Sequence, residues 1–177
     1  MKLIVMKFGG TSVGSIDKIN NVADIVEKQL NDKKLIVVLS AMSGVTNKMQ
    51  EYIDEIESNE TIENDLILTS GEAVSVGLLS AILKKRNIKS IPLLGWQIPI
   101  ITDSNYQKAK ILNIDKVRID KYLNDYDVLV IAGFQGVDID GKITSLGRGG
   151  SDTTAVAVAA AVDADRCDIY TDVDGVY

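Results

Sequence analysis

The sequence predicts an α/β fold built on a mostly parallel sheet, and three observations predict it. Short, nearly continuous apolar runs at residues 2–7, 35–39, 88–94 and 128–132 read as strands covered on both faces, since a strand with one wet face would alternate. Between them lie segments whose apolar residues recur at three and four, the helical period. Gly- and hydroxyl-rich stretches follow the strands at residues 9–10, 40–44, 133–136 and 171–175, and in such a sheet ligands gather at the carboxyl ends of strands.

Taken in order, the first strand runs into Gly9 and Gly10, and a helix follows from about Ser15, with Asp17 in its first turn and Ile16, Ile19, Val22, Ala23, Val26 and Leu30 on one side. The second strand stops at Ser40, and an amphipathic helix fits residues 47–57. Residues 63–86 are helical in period but broken at Thr69-Ser70-Gly71-Glu72. After the third strand, residues 95–106 read as irregular, with Pro92 just before them and Pro99 inside. Residues 110–124 read as helix and lead into the fourth strand. Asp140-Gly141, between Val137-Asp138-Ile139 and Lys142-Ile143-Thr144, predicts a hairpin. An Ala-rich helix over residues 153–162 and a strand over 168–171 complete the pattern. No repeat and no linker interrupts it, so the expectation is one domain.

With 177 residues, 46% of them hydrophobic and 25% charged, the chain can bury a sizeable core. A net charge of -6 without a long basic run argues against nucleic acid or an anionic membrane as partner. The N-terminal apolar run, Leu3 to Met6, is too short for a signal peptide or a membrane span. Cys167 is the one cysteine and cannot form an internal disulfide, so a cytoplasmic location is expected. Histidine is absent altogether. That excludes Ser-His-Asp triads, histidine-ligated metals and histidine bases, and leaves the chemistry to Lys, Arg, Asp, Glu, hydroxyls and backbone amides.

The richest stretch for chemistry is residues 143–161. Gly147, Gly149 and Gly150 allow positive φ and close approach to a ligand, and Ser151 and Asp152 are suited to cap the helix that follows. The amides at that helix start form an anion site. Arg148 adds a fork of donors matched to carboxylate or phosphate. Neither Gly-x-Gly-x-x-Gly nor Gly-x-x-x-x-Gly-Lys-Ser/Thr occurs, so the loop matches no named phosphate fingerprint. Lys7, at the end of a buried strand and before two glycines, would set an ammonium beside a close-approach backbone.

The motifs Lys7-Phe8-Gly9-Gly10-Thr11-Ser12-Val13, Ser40-Ala41-Met42-Ser43-Gly44-Val45-Thr46, Thr69-Ser70-Gly71-Glu72, Gly133-Phe134-Gln135-Gly136, Leu146-Gly147-Arg148-Gly149-Gly150-Ser151-Asp152-Thr153-Thr154 and Tyr170-Thr171-Asp172-Val173-Asp174-Gly175-Val176-Tyr177 closely resemble, in order and spacing, those of the aspartokinases. These belong to the amino acid kinase superfamily. The resemblance implies a three-layer αβα fold and ATP-dependent phosphorylation of the side-chain carboxylate of L-aspartate, with magnesium. A carboxylate nucleophile with a reference pKa near ~4 is ionised at neutral pH, so a histidine-free site without a general base suffices. By motif, Lys7 would lie on the transferring phosphates with Phe8, Gly9 and Gly10, the two glycines as amide donors. Asp152 would orient Lys7. Arg148 would clamp the substrate's α-carboxylate, Glu72 would take its ammonium, and Thr46 and Ser151 would complete the pocket. Thr171, Asp172 and Tyr177 would begin the nucleotide's ribose and adenine pocket, and no residue is assigned as a metal ligand.

Aspartokinases continue beyond the last of these motifs with a further lysine and regulatory ACT domains. The expectation is therefore the N-terminal portion of a kinase domain, without ACT domains, prone to self-association and better at holding aspartate than nucleotide. Two alternatives accompany the leading one: another amino acid kinase, such as one for glutamate, and a non-catalytic chain that binds aspartate or pairs with a longer subunit.

Overall fold

The structure is a computed structural model that describes residues 2–59 and 61–171. Its centre is a five-stranded sheet, every neighbouring pair parallel, in the order β3-β6-β2-β1-β9: β1 is Lys2–Phe8, β2 Lys33–Leu39, β3 Ser90–Leu93, β6 Val128–Ala132 and β9 Arg166–Tyr170. The expected parallel sheet is there because its strands are apolar on both faces. From Leu35 to Leu39 every residue is buried, as is every residue of β6.

The two faces bury against different helices. Ile4, Met6 and Phe8 of β1, with Leu35, Val37 and Leu39 of β2, pack against Ile19, Val22 and Val26 of α1 (Ile16–Gln29) and Val76, Leu79 and Leu83 of α4 (Ser70–Lys85). Val5, Ile36, Val38, Leu129 and Ile131 face the other way, onto Ile119 of α5 (Lys116–Asp125) and Ala155 and Val158 of α6 (Gly150–Ala161). This is the three-layer αβα arrangement. Ser15 caps α1 as its position suggests, its hydroxyl accepting from the Lys18 amide at 3.3 Å.

The helical stretch of residues 61–85 is broken where expected, into α3 (Thr61–Leu68) and α4, with α2 (Val45–Glu55) before them. Thr61–Lys85 together has the length and hydropathy of a membrane span, yet half of its most apolar window is buried in the protein. It supplies Val76, Leu79 and Leu83 to the core and carries buried Asp65 and Glu72, which makes it a core element.

Residues 95–114 differ from expectation. Ile100–Thr102 forms strand β4 within the stretch read as irregular, and Ile111–Ile114 forms β5, antiparallel to it, within the stretch read as helix. The helix α5 starts only at Lys116, where Asp115 accepts from the Arg118 amide at 2.9 Å. Ile111, Ile114 and Ile119 keep near-helical spacing, but the first two answer to a sheet. β4 and β5 join β7 (Gln135–Val137) and β8 (Ile143–Ser145) in a second, four-stranded sheet of order β5-β4-β7-β8. β7 and β8 are the expected hairpin, turning through Gly141 at φ 80°. Ile98, Ile100 and Ile114 tie this sheet to the core on the α6 side.

The close approach of the start of α6 to the backbone just after β6 depends on Gly133. A Cβ there would lie 2.7 Å from Ser151 Oγ and 3.0 Å from Ser151 Cα. We expect Gly133→Ala to push the start of α6 off the sheet and to destabilise the protein by about 1–3 kcal/mol, the usual cost of overpacking, as read by urea denaturation. An unchanged midpoint would contradict this packing.

Candidate functional site

A cleft of about 810 Å³ opens at the carboxyl ends of β1, β2 and β6. Its walls include Lys7, Gly10, residues 40–44, Thr46, Glu72, Phe134 and residues 147–152. Stretches far apart in sequence meet there because the strands of a parallel sheet all end on one side.

Strand parity puts Lys7 in place. Val5 faces α6, so Lys7, two residues on, faces α6 as well, at the point where the core gives way to the cleft. Its Nζ lies 2.7 Å from Asp152 Oδ1, with the lysine side chain only 12% exposed and the aspartate 48%. A Cβ on Gly9 would come within 3.5 Å of that ammonium, so the lysine lies over the glycine backbone. Gly10 approaches the next strand's loop, its carbonyl accepting from the Ser43 amide at 3.1 Å. A Cβ there would meet the Ala41 carbonyl oxygen at 2.8 Å.

The loop into α6 turns through Gly147 at φ 75° and Gly149 at φ 72°, conformations that cost a side chain of any other type. The helix begins at Gly150 with Gly149 as its cap, so Ser151 and Asp152 sit in the first turn and neither caps it, contrary to expectation. That displacement aims them at the cleft, where the first-turn amides lack intrahelical acceptors. Ser151 is buried at 8% exposure. Arg148 is exposed, lines the cleft and makes no ion pair or hydrogen bond among the described residues.

Glu72 is the acid of the site. It is 2% exposed, Oε1 accepts from the Ala41 amide at 3.2 Å, and Oε2 is buried without a partner among the described residues. Burial pushes its carboxyl up to about 7, with hydrogen bonds from its own amide and from Ala41 offsetting part of the rise. Gly71 makes the burial possible, since a Cβ there would lie 2.8 Å from that of Ala41 and 2.9 Å from Val45 Cγ1. Thr46 lines the same wall, half-buried.

Lys7, Asp152, Thr46, Glu72, Arg148 and Ser151 are thus brought to one cleft. Phe8 is not: its ring is buried and stacks on Tyr170 with centroids 4.4 Å apart, leaving only its backbone near the site. Thr171 is exposed at the end of β9. Asp172 and Tyr177 lie outside the described residues. Among the described residues no cluster of three acidic or cysteine side chains could hold a metal ion. Gln107, Lys108 and Ser145 also line the cleft, and no local sequence signal pointed to them.

The chain matches the model of the amino acid kinase family over residues 2–177. It is 52% identical over 179 residues to an aspartate kinase of Pseudomonas putida, a match that covers 100% of this chain and 44% of that protein. Among solved structures, it resembles aspartate kinase from Synechocystis, with a TM-score of 0.86 and 41% identity over 98% of this chain and 28% of that one. It also resembles E. coli aspartokinase III in complex with aspartate and ADP, with a TM-score of 0.85 and 28% identity over 99% of this chain and 50% of that one. The chain therefore spans less than half of the curated relative and at most half of these two structures.

Glu72 has a consequence for stability. Its folded value of about 7 lies above its ordinary 4.5, so folding favours the protonated form. The stability it contributes is present below the ordinary value and lost as pH rises through 7. Between pH 5 and 8, without ligand, the native protein should lose on the order of 2 kcal/mol more than the Glu72→Gln variant. Parallel denaturation curves at both pH values would contradict the assignment.

Proposed function

The chain belongs to the amino acid kinase family, and from that premise we propose that it serves in the ATP-dependent phosphorylation of the side-chain carboxylate of L-aspartate to 4-phospho-L-aspartate. The observation that carries the reading is the charge pattern of the cleft: one buried, half-unpartnered carboxylate, Glu72, faces a space shared with Lys7 and Arg148. A zwitterionic amino acid with an extra carboxylate complements that pattern. Its ammonium restores a partner to Glu72 and stabilises its ionised form, and its α-carboxylate takes the fork of Arg148.

A side-chain carboxylate oxygen of aspartate attacks the γ-phosphorus, the bond to the β-phosphate oxygen breaks, and ADP leaves with its electron pair. No proton moves, so no base is required. Lys7 neutralises charge that builds on the phosphoryl oxygens and the leaving group, and Asp152 holds Lys7 at that point from the first turn of α6. The amides of Gly9, Gly10 and that first turn are oriented donors for phosphate. Thr46 and Ser151 close the amino-acid pocket. Magnesium bound with the nucleotide phosphates would supply charge neutralisation there; among the described residues no group of three acidic or cysteine side chains would hold it. Thr171, Asp172 and Tyr177 are assigned to the nucleotide side. The product belongs to amino-acid biosynthesis in the cytoplasm, including the route to lysine.

The test is ADP release by the full-length protein with L-aspartate, L-glutamate and N-acetyl-L-glutamate as acceptors. Turnover confined to aspartate is expected; turnover with another acceptor, or none with aspartate, would overturn the reading. Arg148→Lys should raise KM for aspartate about tenfold or more, since a point charge replaces a two-point contact, with KM for ATP unchanged. Equal losses for both substrates would count against Arg148 as the carboxylate clamp.

A further inference from the structure

Asp65 on α3 is fully buried, has no role in the mechanism above and pairs with no cation among the described residues. Its carboxylate is nonetheless crowded with donors. Both oxygens accept from the Gln107 amide at 3.0 Å, Oδ2 accepts from the Ser145 amide at 2.7 Å, and Oδ1 accepts from the Ser145 hydroxyl at 2.8 Å. Burial pushes its carboxyl up and these hydrogen bonds pull it back, so ionising it is costly unless the donors are in place.

What the carboxylate holds is the rim of the cleft. Gln107 is not glycine yet sits at φ 65°, a strained conformation that persists only where the surroundings enforce it. The next residue, Lys108, lines the cleft, and Ala109 donates to the Ser145 carbonyl at 2.9 Å. The Gln107 carbonyl and the stem of Lys108 pack beside Gly147, the residue before Arg148: a Cβ on Gly147 would lie 3.1 Å from that carbonyl oxygen and 3.9 Å from Lys108 Cγ. The Lys108 amide donates to the Asn105 carbonyl at 3.1 Å, but its side chain, like that of Arg148, makes no hydrogen bond or ion pair among the described residues. One buried carboxylate therefore locks together the two segments that bring unpartnered cations to the same cleft.

We propose that Asp65 is a positioning residue that holds the Gln107 turn against Ser145, and that Lys108, held by that turn, is a second cation that selects an acidic amino acid by pairing with its side-chain carboxylate. The inference rests on the reading of the cleft as an aspartate kinase site and names what makes that site prefer a dicarboxylate. With Lys7 committed to the phosphates and to Asp152, Arg148 as the one remaining cation would bind any amino acid through its α-carboxylate. A second one rewards only a substrate with a second negative charge.

The experiment is steady-state kinetics on full-length protein with L-aspartate and ATP, comparing Lys108→Met, Lys108→Arg, Asp65→Asn and the Lys108→Met/Asp65→Asn pair. Lys108→Met should raise KM for aspartate about tenfold and leave KM for ATP unchanged, with Lys108→Arg recovering most of the loss. Asp65→Asn should raise KM for aspartate in the same direction and add little once Lys108 is Met, since residues acting through one another are not additive. An unchanged KM in Lys108→Met, or an Asp65→Asn loss that multiplies undiminished in the Lys108→Met background, would overturn the proposal. If Asp65→Asn does not fold, the Met and Arg variants of Lys108 decide alone. Wild-type protein inactive on aspartate would overturn the parent reading and this one together; active wild type with an indifferent Lys108→Met would overturn this one only.

Discussion

The ion pair of Lys7 with Asp152 joins the two halves of the site, and the local architecture can be understood from what it requires. One partner stands near the end of β1, an interior strand of the sheet, and the other in the first turn of α6, so their 2.7 Å contact exists only if α6 packs directly on the sheet. That packing needs Ala155 and Val158 against Val5, Ile36 and Ile131, and a glycine at 133, just after β6, where Ser151 at the helix start comes close. The pair is partly open to water on the aspartate side, so its net worth to stability is small. Its value lies in geometry: it fixes an ammonium at the mouth of the strand, beside the first turn of α6, whose amides have no intrahelical acceptor.

Elsewhere the cleft carries groups that oppose folding. Glu72 and Asp65 are both removed from water and both have their carboxyls pushed up by it. The two are handled differently. Asp65 is saturated with donors and serves as a clamp, whereas Glu72 keeps one oxygen unpartnered in a buried position. An unpaired buried acceptor costs about 1–3 kcal/mol, which a ligand's ammonium would recover on binding. Stability given up at Glu72 would then return as affinity for such a ligand.

Much of this was legible in the chain. The four buried strands announced themselves as continuous apolar runs because both faces of a parallel sheet are covered, and the glycines at 10, 147 and 149 marked where backbone approaches backbone or turns left-handed. The motifs collected Lys7, Glu72, Arg148 and Asp152 before any contact was known. What escaped has a common physical cause: it depends on partners far away in sequence. Residues 111–114 show helical spacing, and only pairing with β4 makes them a strand. Thr102 looks like a loop threonine until its hydroxyl meets that of Thr144 at 2.6 Å. Asp65 reads as one more charge on a helix, because its donors lie at Gln107 and Ser145.

The central claim is that Asp152 acts through Lys7 and takes no proton from the substrate. A double-mutant cycle in kcat, with Lys7→Ala, Asp152→Asn and the pair in full-length protein, addresses it directly. The account predicts that Asp152→Asn lowers turnover when Lys7 is present and adds almost nothing once Lys7 is alanine. Losses that multiply independently would make Asp152 a catalytic group in its own right and contradict the account.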